Sequence, residues 1–235
     1  MDDNKQGVND YLLRTVVEQI KLPLIHIARQ AEIAKDSSAG VDPESLSALS
    51  EMAIKLIDSY FLSLPDPNQV KLALEPVSLS SVLQTAAYNL EGMAKLYNCE
   101  IQLRLSGKFS PVMSHRTRLE AAFTMLGFAF IESQNQPENG KKSQVYLTGY
   151  KTAQGLAGGV FSPQLEMTNE SLKRGLEGLG KQHQALPELS QTTSAGVFIA
   201  DALLDNLAAK LRVAHYRKLS GLATTLLPSR QLQLI

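Results

Sequence analysis

Apolar residues recur in steps of three and four from Asn9 to about Lys35, with Leu12, Val16, Ile20, Leu24, Ile27 and Ala31 on one stripe. That spacing predicts an amphipathic helix. Pro23 lies in its middle and costs about 3 kcal/mol where packing does not compensate. DSSAGVDPES (36–45) reads as a loop, and Asp42-Pro43 as a helix start, with the acid at the N-cap and proline in the first turn. Leu46, Leu49, Ala53, Leu56 and Tyr60 then form the stripe of a second helix, which Leu64-Pro65-Asp66-Pro67 ends. Two such helices make an antiparallel hairpin. One hairpin leaves apolar surface uncovered, whereas two together bury it as a four-helix bundle, so a homodimer is expected.

Beyond Pro67 the period changes. KLALEPVSL (71–79) alternates as a strand does, SSVLQTAAYNLEGMAKLYN (80–98) is amphipathic, with Ser80 or Ser81 as cap, and CEIQLRLSG (99–107) alternates again. RTRLEAAFTMLGFAFIESQ (116–134) predicts a strongly apolar helix, with His115 at its start. SQVYLTGYKT (143–152) and GLAGGVFS (155–162) predict two strands across a short turn. A weaker helix follows over 168–179, where Thr168 precedes Ser171 by three residues; then come a polar loop over 180–194 and a helix over 195–211. RVAHYRKL and GLATTLLP form a closing hairpin with its turn at Ser220-Gly221. The order implies an α+β sandwich, with helices on one face of a mixed sheet. The division expected is a helical domain over 1–66 and an α/β domain over 67–235.

Composition narrows the function classes. The 23 basic and 23 acidic residues balance, so no net field draws the chain to nucleic acid or anionic lipid. A lone cysteine, Cys99, excludes an internal disulfide, and with four scattered histidines (His26, His115, His183, His215) no metal-ligand spacing arises. No apolar run approaches the roughly 18 residues that span a bilayer, and the polar, acidic start MDDNKQGVND is no signal peptide. A cytoplasmic protein without membrane or nucleic-acid partners is the expectation. No Ser/His/Asp set, HExxH motif or Walker loop is present.

A helical hairpin with KLPL (21–24), then LALEPVSLSSVL (72–83) at the junction, then RLEAAFTML (118–126) and a final helix and hairpin ending in LLP resembles the sensor histidine kinases. The resemblance covers about residues 9–228. It implies a dimerisation and phosphotransfer hairpin followed by an ATP-binding domain of the GHKL type. It also says where the chemistry should be. The family's phosphoacceptor histidine precedes the helix proline by five residues and is followed by an acidic residue; counted back from Pro23, those positions hold Glu18 and Gln19. A carboxylate forms no stored phosphoramidate, and a neutral amide is no general base. The family's two metal-binding asparagines align with Met125 and Ala129, neither of which offers an oxygen to Mg²⁺. Its adenine-binding aspartate aligns with Ser162 in SPQLE, with Gln164 and Glu166 at the two glycines. Serine bonds adenine less strongly than a carboxylate does. Of its last glycine-rich turn, aligned with SAGVFI (194–199), only Gly196 remains. That turn opens a helix, so Ser194 and the amides after it are candidates for a residual anion site.

The resemblance therefore implies a degenerate member, a pseudokinase or adaptor. It needs no cofactor, with residual ATP and Mg²⁺ binding left open. Its partners would be a second copy, a response-regulator receiver domain or a sensor kinase. Glu18, Gln19, Lys21 and Arg14 are the candidate partner-binding residues. Arg14, Lys21 and Arg29 are equally read as a solvated face. The alternative is a histidine phosphotransferase working through His26, which lies roughly 80° around the helix from Glu18 and about 12 Å along it. A partly exposed helical histidine, or one covering the hairpin interface, is the plainer reading of that residue.

Overall fold

The computed structural model describes residues 2–36, 42–64, 72–133, 142–163, 165–178, 186, 189 and 194–229. The expected loop over 37–41, the proline break from Pro65, Gln164, His183 and most of 180–193 lie outside the described residues.

Helix α1 (Asp2–Asp36) runs through Pro23, and α2 (Pro43–Ser63) begins as expected, with the Asp42 carboxylate accepting the Glu44 amide at 3.2 Å. The pair is antiparallel. Burial, and then the Asp10 carboxylate from the other helix, raise the Tyr60 phenol. The predicted stripes are only half right. On α2, Leu49, Ala53, Leu56 and Tyr60 are buried; on α1, Leu12 and Val16 are buried but Leu24 is 53 % exposed. The buried side of the hairpin rests on the α/β part of the same chain, chiefly against α3 (Leu79–Leu96), α4 (Arg116–Ser133) and α6 (Ala195–Asp205). What stays uncovered is a second side, carrying Leu13, Val17 and Leu24 on α1 and Ile54, Ile57 and Phe61 on α2.

The remaining elements are β1 (Glu75–Val77), β2 (Cys99–Ser106), β3 (Val112–Ser114), β4 (Ser143–Thr152), β5 (Gly155–Ser162), α5 (Asn169–Glu177), β6 (Arg212–Tyr216) and β7 (Leu219–Leu226). A five-stranded sheet has the order β2-β4-β5-β7-β6, and β1 pairs with β3 in a separate two-stranded ribbon. Strands β2 and β4 are parallel, with α4 in the crossover, and the other pairs of the large sheet are antiparallel. The architecture is thus α+β with a mixed sheet, as expected. Helices α3 and α4 cover one face of the sheet, and α4 has the hairpin and α6 on its other side. This explains why α4 is apolar nearly all round. Phe123, Leu126, Phe130 and Ile131 are fully buried in it.

Several boundaries shift for physical reasons. Among the described residues of the predicted strand 71–79, Glu75–Val77 is paired, and it stops there because Ser78 caps α3, accepting the Ser81 amide on its hydroxyl at 3.4 Å. The cap is therefore Ser78, not Ser80 or Ser81. Short β3 was not anticipated. The Thr168–Ser171 pair does form a reciprocal capping box at the start of α5, and His115 sits at the start of α4, where Nδ1 accepts the Arg118 amide at 3.5 Å. Helix α6 ends at Asp205 rather than near residue 211, its cap Asn206 being followed by Ala208 at φ 54°. The closing turn lies at Arg217-Lys218, with Arg217 at φ 55°. Gly221 is instead inside β7, where a Cβ would lie 2.1 Å from the Val160 carbonyl oxygen.

A closed cleft at the candidate nucleotide site

Met125 and Ala129 stand one turn apart on α4, both buried; the Met125 backbone and the Ala129 side chain approach the first turn of α6. Gly196 is where the two helices touch. A Cβ on it would lie 2.4 Å from the Met125 carbonyl oxygen and 3.3 Å from the Ala129 Cβ. The glycine is thus required by close helix–helix approach rather than by a turn around a phosphate. Met125, Ala129 and Gly196 thus lie side by side, and a Cβ on Gly196 has no room between them.

The N-terminal end of α6 is covered as well. Ser194, a non-glycine residue in the left-handed region at φ 54° and ψ 25°, is buried, and so is every residue from Ala195 to Ala200. Its hydroxyl donates to the Leu186 carbonyl at 3.2 Å. Leu186 and Leu189 are both 0 % exposed and belong to the main core, and the Leu189 amide closes a tight turn onto the Leu186 carbonyl at 3.1 Å. The expected residual anion site at Ser194 and the amides after it is therefore not open to solvent here. Leu186 and Leu189 thus lie in the core, within the stretch that the resemblance sets against the family's nucleotide lid. Reading 180–194 as a polar connection missed this. The one available signal was Leu186 and Leu189 three residues apart in a polar stretch.

Ser162 is buried at the end of β5, opposite Ser220 of β7, while Glu166 is exposed between buried Leu165 and Met167. No group of three or more His, Cys, Asp or Glu side chains among the described residues could hold a metal ion. Open space lies elsewhere, in a groove of about 460 Å³ between α5 and the end of α6. Leu172, Lys173, Glu177, Asp201 and Asp205 are among its walls. Burial, and then the nearby Asp205, push Asp201 up to about 6.

On the hairpin, Glu18 and Lys21 form an exposed ion pair at 2.8 Å, and Arg14, His26 and Arg29 are also exposed. Gln19 is the exception among the candidate partner-binding residues. It is 1 % exposed, and its side-chain amide donates to Glu132 near the end of α4. Its docking role is corrected accordingly: in this arrangement Gln19 holds the hairpin to its own chain. Burial, opposed by the Gln19 bond, pushes Glu132 up to about 7, and burial followed by Glu132 pushes Tyr97 up to about 12. Nothing local in the sequence marks Glu132, because its partner lies 113 positions away.

Among the described residues no helix is long and apolar enough to cross a membrane. No protein-family model matches the chain, and no curated protein does. Solved structures do. The histidine kinase AdeS of Acinetobacter baumannii is similar with a TM-score of 0.54 at 15% identity, over 91% of this chain and 98% of that one. Full-length ShkA in complex with AMPPNP is similar with a TM-score of 0.54 at 12% identity, over 94% of this chain and 46% of that one. A bacterial phosphotransferase is similar with a TM-score of 0.51 at 8% identity, over 93% of this chain and 96% of that one. Hairpin, mixed sheet and stacked helices together are the fold of the sensor histidine kinases.

Proposed function

We propose that this chain is a catalytically degenerate histidine-kinase-like protein that works by binding in two-component-type signalling. The observation that carries this reading is the close approach of Gly196 to the Met125 backbone, next to a buried Ser194 bonded to the Leu186 carbonyl. A site closed by core side chains and lacking carboxamide or carboxylate ligands has no means of presenting Mg²⁺ and a triphosphate. The hairpin supplies the binding surface. Exposed Glu18, Lys21 and Arg14 offer charge to a receiver domain or to an authentic kinase. The apolar side with Ile54 at 56 % and Phe61 at 64 % exposure favours a second copy. Pairing of two such faces gives the four-helix stem of a homodimer.

The test is calorimetric titration of the full chain with receiver domains, beside a thermal-shift series with ATP and Mg²⁺. A receiver should bind, and reversing both Arg14 and Lys21 to Glu should weaken it at least about tenfold, roughly 1.4 kcal/mol. Nucleotide at 100 times its dissociation constant would add about 2.7 kcal/mol, and no such shift is expected. Uniform absence of receiver binding would sink the proposal, as would a saturable nucleotide shift. Self-association has its own check. Ile54→Asp combined with Phe61→Asp should convert a dimer to a monomer in sedimentation equilibrium; a wild-type chain that sediments as a monomer at tens of micromolar would refute the dimer.

A histidine phosphotransferase is the second reading, favoured by the exposure of His26 and by the likeness in fold to the bacterial phosphotransferase. Phosphoryl transfer from a phosphorylated receiver that disappears in His26→Ala would establish it over the first.

A further inference from the structure

Polar contacts join the hairpin to the α/β part among the apolar ones: Asn206 holds the end of α2 through the Ser63 carbonyl, and α1 adds Gln19 on Glu132. Around Gln19, α1 presents buried Val16 and Pro23, yet the group at the interface is a carboxamide donating to the partly buried carboxylate of Glu132. Among the described residues, Gln19 from α1 is the hydrogen-bonding partner of that carboxylate. Tyr97, after the end of α3, is the titratable group acting beside it. No described lysine, arginine or histidine forms an ion pair with Glu132. A charge placed there without a cation is costly, whereas the protonated acid is not.

We infer that Gln19 and Glu132 form a proton-controlled latch, which holds α1 against the α/β part when Glu132 is protonated and loosens when it ionises. This stands apart from the pseudokinase reading, since it concerns how the chain's own parts are held together. With α1 docked, the carboxyl is held up at about 7 by burial, against the opposing pull of the Gln19 bond. With α1 lifted away, water reaches the group and its affinity for a proton falls toward that of an ordinary carboxylate. The docked state therefore binds more protons. Its advantage is complete below the ordinary carboxylate range and is lost as pH rises through about 7. Between those limits the ratio of docked to released α1 changes by up to about tenfold per pH unit for one coupled proton.

The experiment is a pH titration of the full chain followed by NMR, with the Glu side-chain carboxyls carbon-labelled and the backbone amides of α1 observed in the same samples. Hydrogen exchange of residues 10–33 at pH 6 and 8.5, corrected for the intrinsic rate, is measured alongside. The expected result has three parts: a Glu132 midpoint well above an ordinary carboxylate, α1 signals that move with the same midpoint, and protection of α1 at least tenfold stronger at pH 6. Glu132→Gln and Glu132→Leu, uncharged substitutions of different polarity, should each abolish the pH step in α1. An ordinary carboxylate midpoint for Glu132, α1 signals indifferent to its titration, or a step that survives both substitutions would each overturn the latch. Receiver binding does not enter any of these readouts.

Discussion

Leu186→Ala will destabilise the protein by about 2–5 kcal/mol, the range for emptying a buried leucine position. The residue lies in what the sequence presents as a polar connection, where a substitution is ordinarily within about 0.5 kcal/mol of neutral. The large value is expected because Leu186 is 0 % exposed within the main core and its carbonyl is held by the Ser194 hydroxyl. Truncation removes the transfer energy of the side chain and leaves a cavity over the first turn of α6, where neighbouring helices cannot close in. Urea denaturation checks it. A midpoint shift at unchanged slope is the expected outcome, and a variant as stable as the wild type would mean that the segment lies open and the cleft is accessible.

Gly196→Ala is the second large effect, and two opposing terms decide its sign. Alanine is favoured over glycine inside a helix by about 1 kcal/mol. Against this, its Cβ would sit 2.4 Å from the Met125 carbonyl oxygen. The obstacle is backbone in a core helix, so α6 must shift bodily rather than a side chain rotate. Overpacking of this kind costs about 1–3 kcal/mol and occasionally more, and net destabilisation is expected. Had the glycine served a phosphate loop, the same substitution would spare folding and affect only ligand binding. Thermal denaturation in the absence of any nucleotide separates the two cases.

Much of the architecture was legible because periodicity reports burial. The apolar run at 116–134 announced α4, and the alternation at 99–107 announced β2. The Asp42 and Thr168 caps were legible too, because a cap is a local hydrogen bond. Errors arose where local pattern and tertiary contact part company. Gly221 reads as a turn glycine, yet it lies in β7 because a side chain there would strike β5. Leu24 fits the stripe of Leu12 and Val16 but is exposed, since the helix turns one side to its own chain and leaves the other uncovered. The candidate site divides in the same way. Missing ligands at Met125 and Ala129 could be counted from the sequence, because absence of an oxygen needs no geometry. That Leu186 is buried in the core, and that Gln19 turns inward to Glu132, depend on residues distant in the chain.

Helix α6 is fastened at both ends. Its start is pressed onto the Met125 backbone and its cap Ser194 is bonded to the Leu186 carbonyl, and at its finish the Asn206 side-chain amide donates to the Ser63 carbonyl at 2.9 Å, where α2 ends. A transmission rod must have play at one end to pass on a displacement, and transmission between sites needs an element with two arrangements that each site biases. In this arrangement α6 is braced between the α4 backbone and the end of α2. Under the function proposed here, a signal would enter and leave along the hairpin itself.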